Sequence, residues 1–232
     1  MSVLLSICLD SCYGSFSINQ KSGKDCNYSI MSGKLSLILG PMFSGKSTIL
    51  LTRYRRYQIG GKACLLIKYA KDQRYSGSEE MLVTHDQISY KATSCHKLEE
   101  VHDLIQDYDV ICIDEIQFYP DASKYCDAWA NAGKIVEVCG LNGDYRRKPF
   151  EQISLLIPLS DDISYVTAVC KATGNDAPFT MRLSKEKKQE VIGSTDKYQA
   201  VSRERYLQGT TEKSSTTQKP KAAAAGLNQE KA

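Results

Sequence analysis

The stretch "LSLILGPMFSGKSTILL" constrains this chain more than any other. Apolar strand residues break onto a glycine-containing turn, which gives way to a lysine, a serine and a helix. Gly40 to Ser47 fits G-x-x-x-x-G-K-[ST] at every defined position, and the strand before and helix after are the context that motif needs. The residues Gly40, Pro41, Met42, Phe43, Ser44, Gly45, Lys46, Ser47 and Thr48 therefore read as a phosphate cradle. Glycines let backbone N–H groups converge on phosphate oxygens, and the helix N-terminus adds its positive end. Lys46 would reach the outer phosphates, and Ser47 would offer a hydroxyl to Mg²⁺.

A strand opening such a corner belongs to an α/β sheet, and the rest of the chain agrees. Leu35–Leu39, Ala63–Lys68, "DVICIDE" and "KIVEVCG" are near-continuous apolar runs. Between them lie helical patterns at Ser47–Gln58, about Lys97–Gln106 and "DASKYCDAWANAG", the last opening on an Asp cap. Apolar strands alternating with helices argue for a parallel sheet covered on both faces. The segment 69–94 is polar, and after about Ile163 the rhythm shortens to "ISYVTAVC", "PFTMRLS" and "QEVIG", a small β-rich or looped lobe. The divisions expected are a disordered N-terminal arm over 1–33, a phosphate-loop α/β domain over 34–162, a small lobe over 163–206 and a disordered tail over 207–232.

Composition narrows the partners. Thirty basic against 27 acidic residues leave a net charge of +3, which is no electrostatic footprint for nucleic acid or an anionic membrane. No apolar run reaches the length of a membrane span, and the first residues lack the basic region of a signal peptide. The nine cysteines form no C-x-x-C pair, and several sit inside apolar runs. Reduced thiols in a cytoplasmic protein are the expectation. The basic run Arg53–Gln58 reads as a solvated helix face or a subunit contact, and His96 and His102 as surface residues.

A Mg²⁺–nucleotide enzyme needs an acid at the end of a neighbouring strand, and "VICIDE" supplies two. Asp114 would hold the metal side, and Glu115 could take a proton from an attacking hydroxyl or water. No guanine-reading N-K-x-D is present. A compact phosphate-loop protein with one small lobe suits a small-molecule kinase, but this pattern leaves the acceptor open.

The blocks "LILGPMFSGKST", "RRYQIGGKACLLIKYAKDQRY", "VTHD", "IDEIQFYPD", "ANAGKIVEV", "GLNGDYRRKPF", "VTAVC" and "EVIGSTDKY" occur in order between Lys34 and Tyr206. Together they resemble the cytosolic, vertebrate-type (type II) thymidine kinase family. The resemblance implies a phosphate-loop NTPase-like parallel sheet flanked by helices, with a small C-terminal β lobe whose lasso loop closes over the nucleoside. It implies transfer of the γ-phosphoryl of ATP to the 5′-hydroxyl of thymidine or deoxyuridine, with Mg²⁺, by a homodimer or homotetramer.

Carried over residue by residue, Glu115 resembles the base, and Ser47 and Asp114 the magnesium side. Asp72 and Arg74 match positions near the reacting phosphates, and Ile116 and Gln117 complete the acidic block on the ATP side. Met42, Leu141, Thr180 and Tyr198 resemble the pocket around the thymine ring, Phe118, Tyr145 and Phe150 its aromatic walls. Backbone groups at Val191, Ile192 and Gly193 would read the base edge. The alternatives are a kinase for another deoxynucleoside and a nucleotide-binding regulator without activity.

Three departures stand out. The family's structural zinc has four ligands, and their positions here hold Cys170, Thr173, Ser202 and Arg205, so no zinc is expected. Polar pairs from Arg203, Glu204 or Arg205 to Asp176 or a backbone carbonyl are the expected replacement. Ile116 stands where the family has glycine, and Ile49 where an acid is common.

Overall fold

The computed structural model describes residues 33–71, 81–83, 89–184, 186 and 196–215. Six strands form one all-parallel sheet: β1 (Lys34–Gly40), β2 (Cys64–Tyr69), β5 (Thr93–Cys95), β6 (Val110–Ile113), β7 (Ile135–Leu141) and β8 (Asp162–Tyr165), in the order β5-β2-β6-β7-β1-β8. β3 (Met81–Val83) and β4 (Ser89–Lys91) form a separate antiparallel pair, and its Leu82 packs with Ile38 and Leu50 of the main core.

Alternate residues of β1 divide between two cores, as the period of a strand requires. Leu35, Leu37 and Leu39 pack with Trp129 and Tyr125 of helix α2 (Ala122–Asn131) and with Ile153 and Leu156 of helix α3 (Glu151–Leu156). Ile38 packs with Leu50, Leu51 and Tyr54 of helix α1 (Lys46–Ile59) on the other face. This is the doubly covered parallel sheet that the apolar strands predict.

The helix expected at Lys97–Gln106 is a 3₁₀ helix, Leu98–Asp107. Asp121 stands at the N-cap of α2, but its carboxylate accepts the N–H groups of Leu98 (3.1 Å) and Glu99 (3.0 Å). It therefore caps a neighbouring helix instead of its own. His102 is exposed as expected, yet its Nδ1 accepts the indole N–H of Trp129 at 3.0 Å.

The basic run on α1 is only partly a solvated face. Arg53 donates to the carboxylate of Glu137 at 2.7 Å and to the Ser164 hydroxyl at 2.8 Å, tying α1 to β7 and β8. Glu137 lies inside an otherwise apolar strand, so its charge requires that partner. Tyr57 donates to the other carboxylate oxygen at 2.8 Å, and burial together with that bond pushes its hydroxyl up to about 12. Arg55 and Arg56 are exposed. Breaking a buried pair from one side leaves a charge uncompensated, and Arg53→Met is expected to cost about 3 kcal/mol, the lower end of that range because the arginine is partly hydrated. Urea unfolding measures it; a change below about 1 kcal/mol would place Glu137's compensation elsewhere.

After β8 the chain builds a second, smaller core. Short antiparallel pairs, β9 (Ala168–Val169) with β10 (Asp176–Ala177) and β11 (Phe179–Arg182) with β12 (Tyr198–Val201), precede helix α4 (Arg203–Ser215). Its apolar centre is Ala168, Cys170, Ala177, Met181, Ala200, Val201 and Tyr206. The helical backbone of α4 continues to Ser215, past the point where the sequence reading starts the tail. Residues 216–232 and 1–32 lie outside the described residues. No helix among the described residues is long and apolar enough to cross a membrane.

Candidate active site

The phosphate corner and the acidic pair meet at the C-terminal ends of the parallel strands, where open α/β sheets carry their ligands. The loop leaves β1 and turns on Phe43 (φ 65°) and Gly45 (φ 77°), both in the left-handed region. Glycine takes that conformation freely, whereas phenylalanine does so at a cost. Lys46 opens α1 and is only 8% exposed. Its ammonium donates to the Pro41 carbonyl at 2.6 Å and reaches the Ser44 hydroxyl at 3.5 Å, inside the curve of the loop.

Asp114 follows β6, two strands from β1 with β7 between them. The Ser47 hydroxyl donates to its Oδ1 at 3.0 Å, so hydroxyl and carboxylate stand as adjacent oxygen donors of the type Mg²⁺ takes. With a buried ammonium and a helix N-terminus beside them, this donor set fits a magnesium–polyphosphate. The same Oδ1 accepts the Glu115 N–H at 3.0 Å and the Cys139 thiol at 2.7 Å. Burial and the neighbouring Asp114 charge push the Cys139 thiol well above its ordinary range.

Glu115 is half-buried with φ 53° and ψ 45°, a left-handed geometry unusual for a side chain of its size. Gln117 holds it there. Its amide donates to Glu115 Oε2 at 2.5 Å while its carbonyl accepts the Leu141 N–H at 3.0 Å, which fixes the amide's orientation from both ends. Gln117 thus contacts the acidic pair and β7 through its side chain. Ile116 is fully buried and packs into the sheet core. A Cβ on Gly140 would stand 2.8 Å from the Ile116 Cγ2 and 2.6 Å from the Gln117 Oε1, so the isoleucine occupies the space that a bare residue at 140 leaves.

The aromatic residues fall into two groups, one around Phe118 and one around Arg182. Phe118 packs against Tyr69 (5.2 Å between ring centres) and meets Phe150 edge-on at 6.5 Å. Phe118 and Leu141 are half-buried, whereas Phe150 and Met42 are buried. Tyr145 and Tyr198 flank Arg182, whose guanidinium carbon lies 3.9 Å and 5.1 Å from their ring centres. Arg182 is 2% exposed and donates to the Tyr198 hydroxyl at 2.5 Å. The Thr180 hydroxyl accepts the Met42 N–H at 3.0 Å, joining the small core to the phosphate loop. Asp72, Arg74, Val191, Ile192 and Gly193 lie outside the described residues.

A phosphate loop, a paired acid and an aromatic cluster in this order coincide with a known pattern: the family model described as "TK: Thymidine kinase" matches residues 33–206. The chain belongs to the thymidine kinase family. The thymidine kinase of Variola virus is 48% identical over 175 residues, covering 75% of this chain and 97% of the viral one. That of Vaccinia virus (strain Western Reserve) is 47% identical over the same shares. Thymidine kinase 1 of Dictyostelium discoideum is 43% identical over 188 residues, covering 80% of this chain and 83% of its own.

Sequence reasoning on this thymidine kinase family member missed three contributors. Cys139 passes for a core thiol by its apolar neighbours, and only the strand order brings it to Asp114. Arg182 lies in "PFTMRLS" with no local sign of its buried place between Tyr145 and Tyr198. Glu137 carried a usable signal, since one acid inside "KIVEVCG" demands a cation.

The four positions expected from the resemblance to align with zinc ligands, Cys170, Thr173, Ser202 and Arg205, make other contacts. The Ser202 hydroxyl accepts the Arg205 N–H at 3.3 Å and the Thr173 hydroxyl accepts the Asn175 N–H at 3.4 Å. Cys170 has no solvent exposure. Burial opposes its ionisation, but hydrogen bonds from the Thr173 hydroxyl and from the backbone at Ser202, Ala172 and Thr173 outweigh it and bring the thiol down to about 6. Among the described residues no three His, Cys, Asp or Glu side chains gather as metal ligands. Of the polar pairs expected from Arg203, Glu204 or Arg205 to Asp176 or a backbone carbonyl, the contacts seen for Arg203, Glu204 and Asp176 run elsewhere. Arg203 lies over the Phe179 ring at 4.8 Å, Glu204 accepts from Gln208, and Asp176 accepts the Thr167 hydroxyl. Elemental analysis of protein prepared in metal-free buffer is expected to find far less than one zinc per chain; a stoichiometric value would overturn this.

Proposed function

We propose that the protein is a thymidine kinase that transfers the γ-phosphoryl group of ATP to the 5′-hydroxyl of thymidine, and of deoxyuridine, in deoxynucleotide salvage. The observation that carries the reading is the 3.0 Å contact of Ser47 with Asp114 in a chain of the thymidine kinase family. It sets the phosphate loop and the acidic pair on one site.

In this reading Glu115, oriented by Gln117, accepts the proton of the 5′-hydroxyl as that oxygen attacks the γ-phosphorus. Lys46 and the N-terminus of α1 face the charge that develops on the transferring group. Ser47 and Asp114 would hold Mg²⁺, which supplies positive charge to the phosphate oxygens when bound. Asp72 and Arg74 serve beside the reacting phosphates. Met42, Leu141, Thr180 and Tyr198 surround the thymine ring, with Phe118, Tyr145 and Phe150 as walls and the backbone at Val191, Ile192 and Gly193 on the base edge. Gly40–Thr48 and Asp114–Gln117 form the ATP side. The protein is of the cytosolic, type II kind and cytoplasmic, with a small lobe over 163–206 closing on the nucleoside.

Incubation with ATP, Mg²⁺ and each of thymidine, deoxyuridine, deoxycytidine and deoxyguanosine tests this. Phosphorylation of the first two is expected. Preference for deoxycytidine or deoxyguanosine would reassign the acceptor, and turnover of none would make the protein a nucleotide-binding regulator.

The assembly expected is a homodimer or homotetramer. Light scattering at micromolar concentration checks it, and a monomer both with and without ATP would refute it.

A further inference from the structure

The strand order places β7 between the strand that ends in the phosphate loop and the strand that ends in the acidic pair. A residue near the C-terminal end of β7 is therefore flanked by both halves of the site. Cys139 holds that position: it pairs with Ile38 on one side, and its neighbour Val138 pairs with Ile113 on the other, one residue before Asp114. Its side chain has no solvent exposure, and Sγ lies 2.7 Å from Asp114 Oδ1. An ionised carboxylate only accepts, so the thiol is the donor.

Three donors converge on that one oxygen. The Glu115 N–H comes from the backbone beside it, and the Ser47 hydroxyl comes from the phosphate loop at 3.0 Å each. Of the three, the serine hydroxyl has a task on the nucleotide side. The other two fix Oδ1 from the protein side, one from the adjacent backbone and one from the neighbouring strand β7. A thiol is a weak donor, so it restrains the carboxylate while withdrawing little of the negative charge a cation would need. Groups that orient a metal ligand from behind in this way commonly matter about 10–100-fold to metal affinity or activity.

We propose that Cys139 is a positioning residue for the phosphoryl transfer, holding Asp114 against Ser47 so that the two oxygen donors meet Mg²⁺ as a preformed pair. The proposal rests on the reading of this site as the magnesium–nucleotide site. It goes beyond that reading in assigning a buried strand thiol to the machinery.

The test is calorimetric binding of a non-hydrolysable ATP analogue at varied Mg²⁺, using the full chain and its Cys139→Ala and Cys139→Ser variants. Cys139→Ala is expected to raise the Mg²⁺ concentration for half-maximal binding about 10-fold, and to leave analogue binding without Mg²⁺ and the KM for thymidine close to wild type. Cys139→Ser restores a donor and should recover most of the loss, which a packing role would not produce. An unchanged Mg²⁺ requirement in Cys139→Ala, or a serine variant as impaired as the alanine one, overturns the proposal.

A second measurement covers an alanine variant that does not fold. The S–H stretching band of Cys139, assigned by its disappearance in Cys139→Ser, should shift when Mg²⁺ joins the bound analogue and stay in place with analogue alone. A band indifferent to Mg²⁺ overturns the proposal equally. Wild-type protein that phosphorylates thymidine while these tests fail discards only the Cys139 role. Wild-type protein that binds no magnesium nucleotide discards the site reading, and the proposal with it.

Discussion

Glu115→Gln is expected to lower the turnover of thymidine by about 10²–10⁴-fold, the usual contribution of a positioned general base. The substitution preserves volume and leaves the left-handed backbone at 115 (φ 53°) with a side chain of the same length. What it removes is the ability to accept a proton. The amide of Gln117, which now donates to Glu115 Oε2, can still bond the amide oxygen of a glutamine at 115, so the loop should keep its shape. ATP affinity is therefore expected to change little, and the loss should fall on kcat. Steady-state rates with thymidine and separate titration of ATP distinguish the two. A variant with wild-type turnover would move the base role to another residue, and a variant that loses ATP binding equally would make Glu115 a structural element of the loop.

The second large effect is expected at Lys46. Its ammonium is buried within the phosphate loop and is held on the Pro41 carbonyl. A cation in that position strengthens its interaction with the phosphoryl group as charge develops, and single donors of this kind contribute about 10²–10³-fold to kcat. Lys46→Ala should lose at least that and should also weaken ATP binding, because the ground-state phosphates use the same charge. The lysine braces the loop as well, so the unfolding midpoint of the variant must be measured beside its activity. Normal ATP binding and turnover in a folded Lys46→Ala protein would place the ATP site elsewhere.

The parts of this protein legible in its sequence are those fixed by local chemistry. The phosphate corner needs a left-handed residue, a helix start and a cation within a few positions, and "GPMFSGKS" supplies all three. The strands were legible because a doubly covered parallel strand has no polar face to hide, as in "VICI". The helix expected at 97–106 exists within a residue of that range but winds as 3₁₀, because the same apolar spacing at Leu98, Val101 and Ile105 serves either winding. Contacts set by strand order were beyond reach. Nothing in "KIVEVCG" says that its cysteine meets Asp114 while its glutamate meets Arg53. The cap at Asp121 misled for a related reason: the carboxylate satisfied the donors that folding brought nearest, and these belonged to another helix.

Phe43 belongs to two structures at once. By sequence it is the middle of the phosphate loop, yet its ring packs against the small apolar core formed by Cys170, Met181 and Tyr206. Its neighbour Met42 gives its N–H to Thr180 in that same region. The phosphate loop therefore draws packing and a hydrogen bond from beyond the point where the secondary-structure rhythm changes. A fragment ending near Val166 would keep every residue of the phosphate motif, but it would leave an aromatic ring stripped of its packing and a backbone donor without its acceptor. Such a fragment's failure to hold ATP would report a missing buttress, with the motif itself intact.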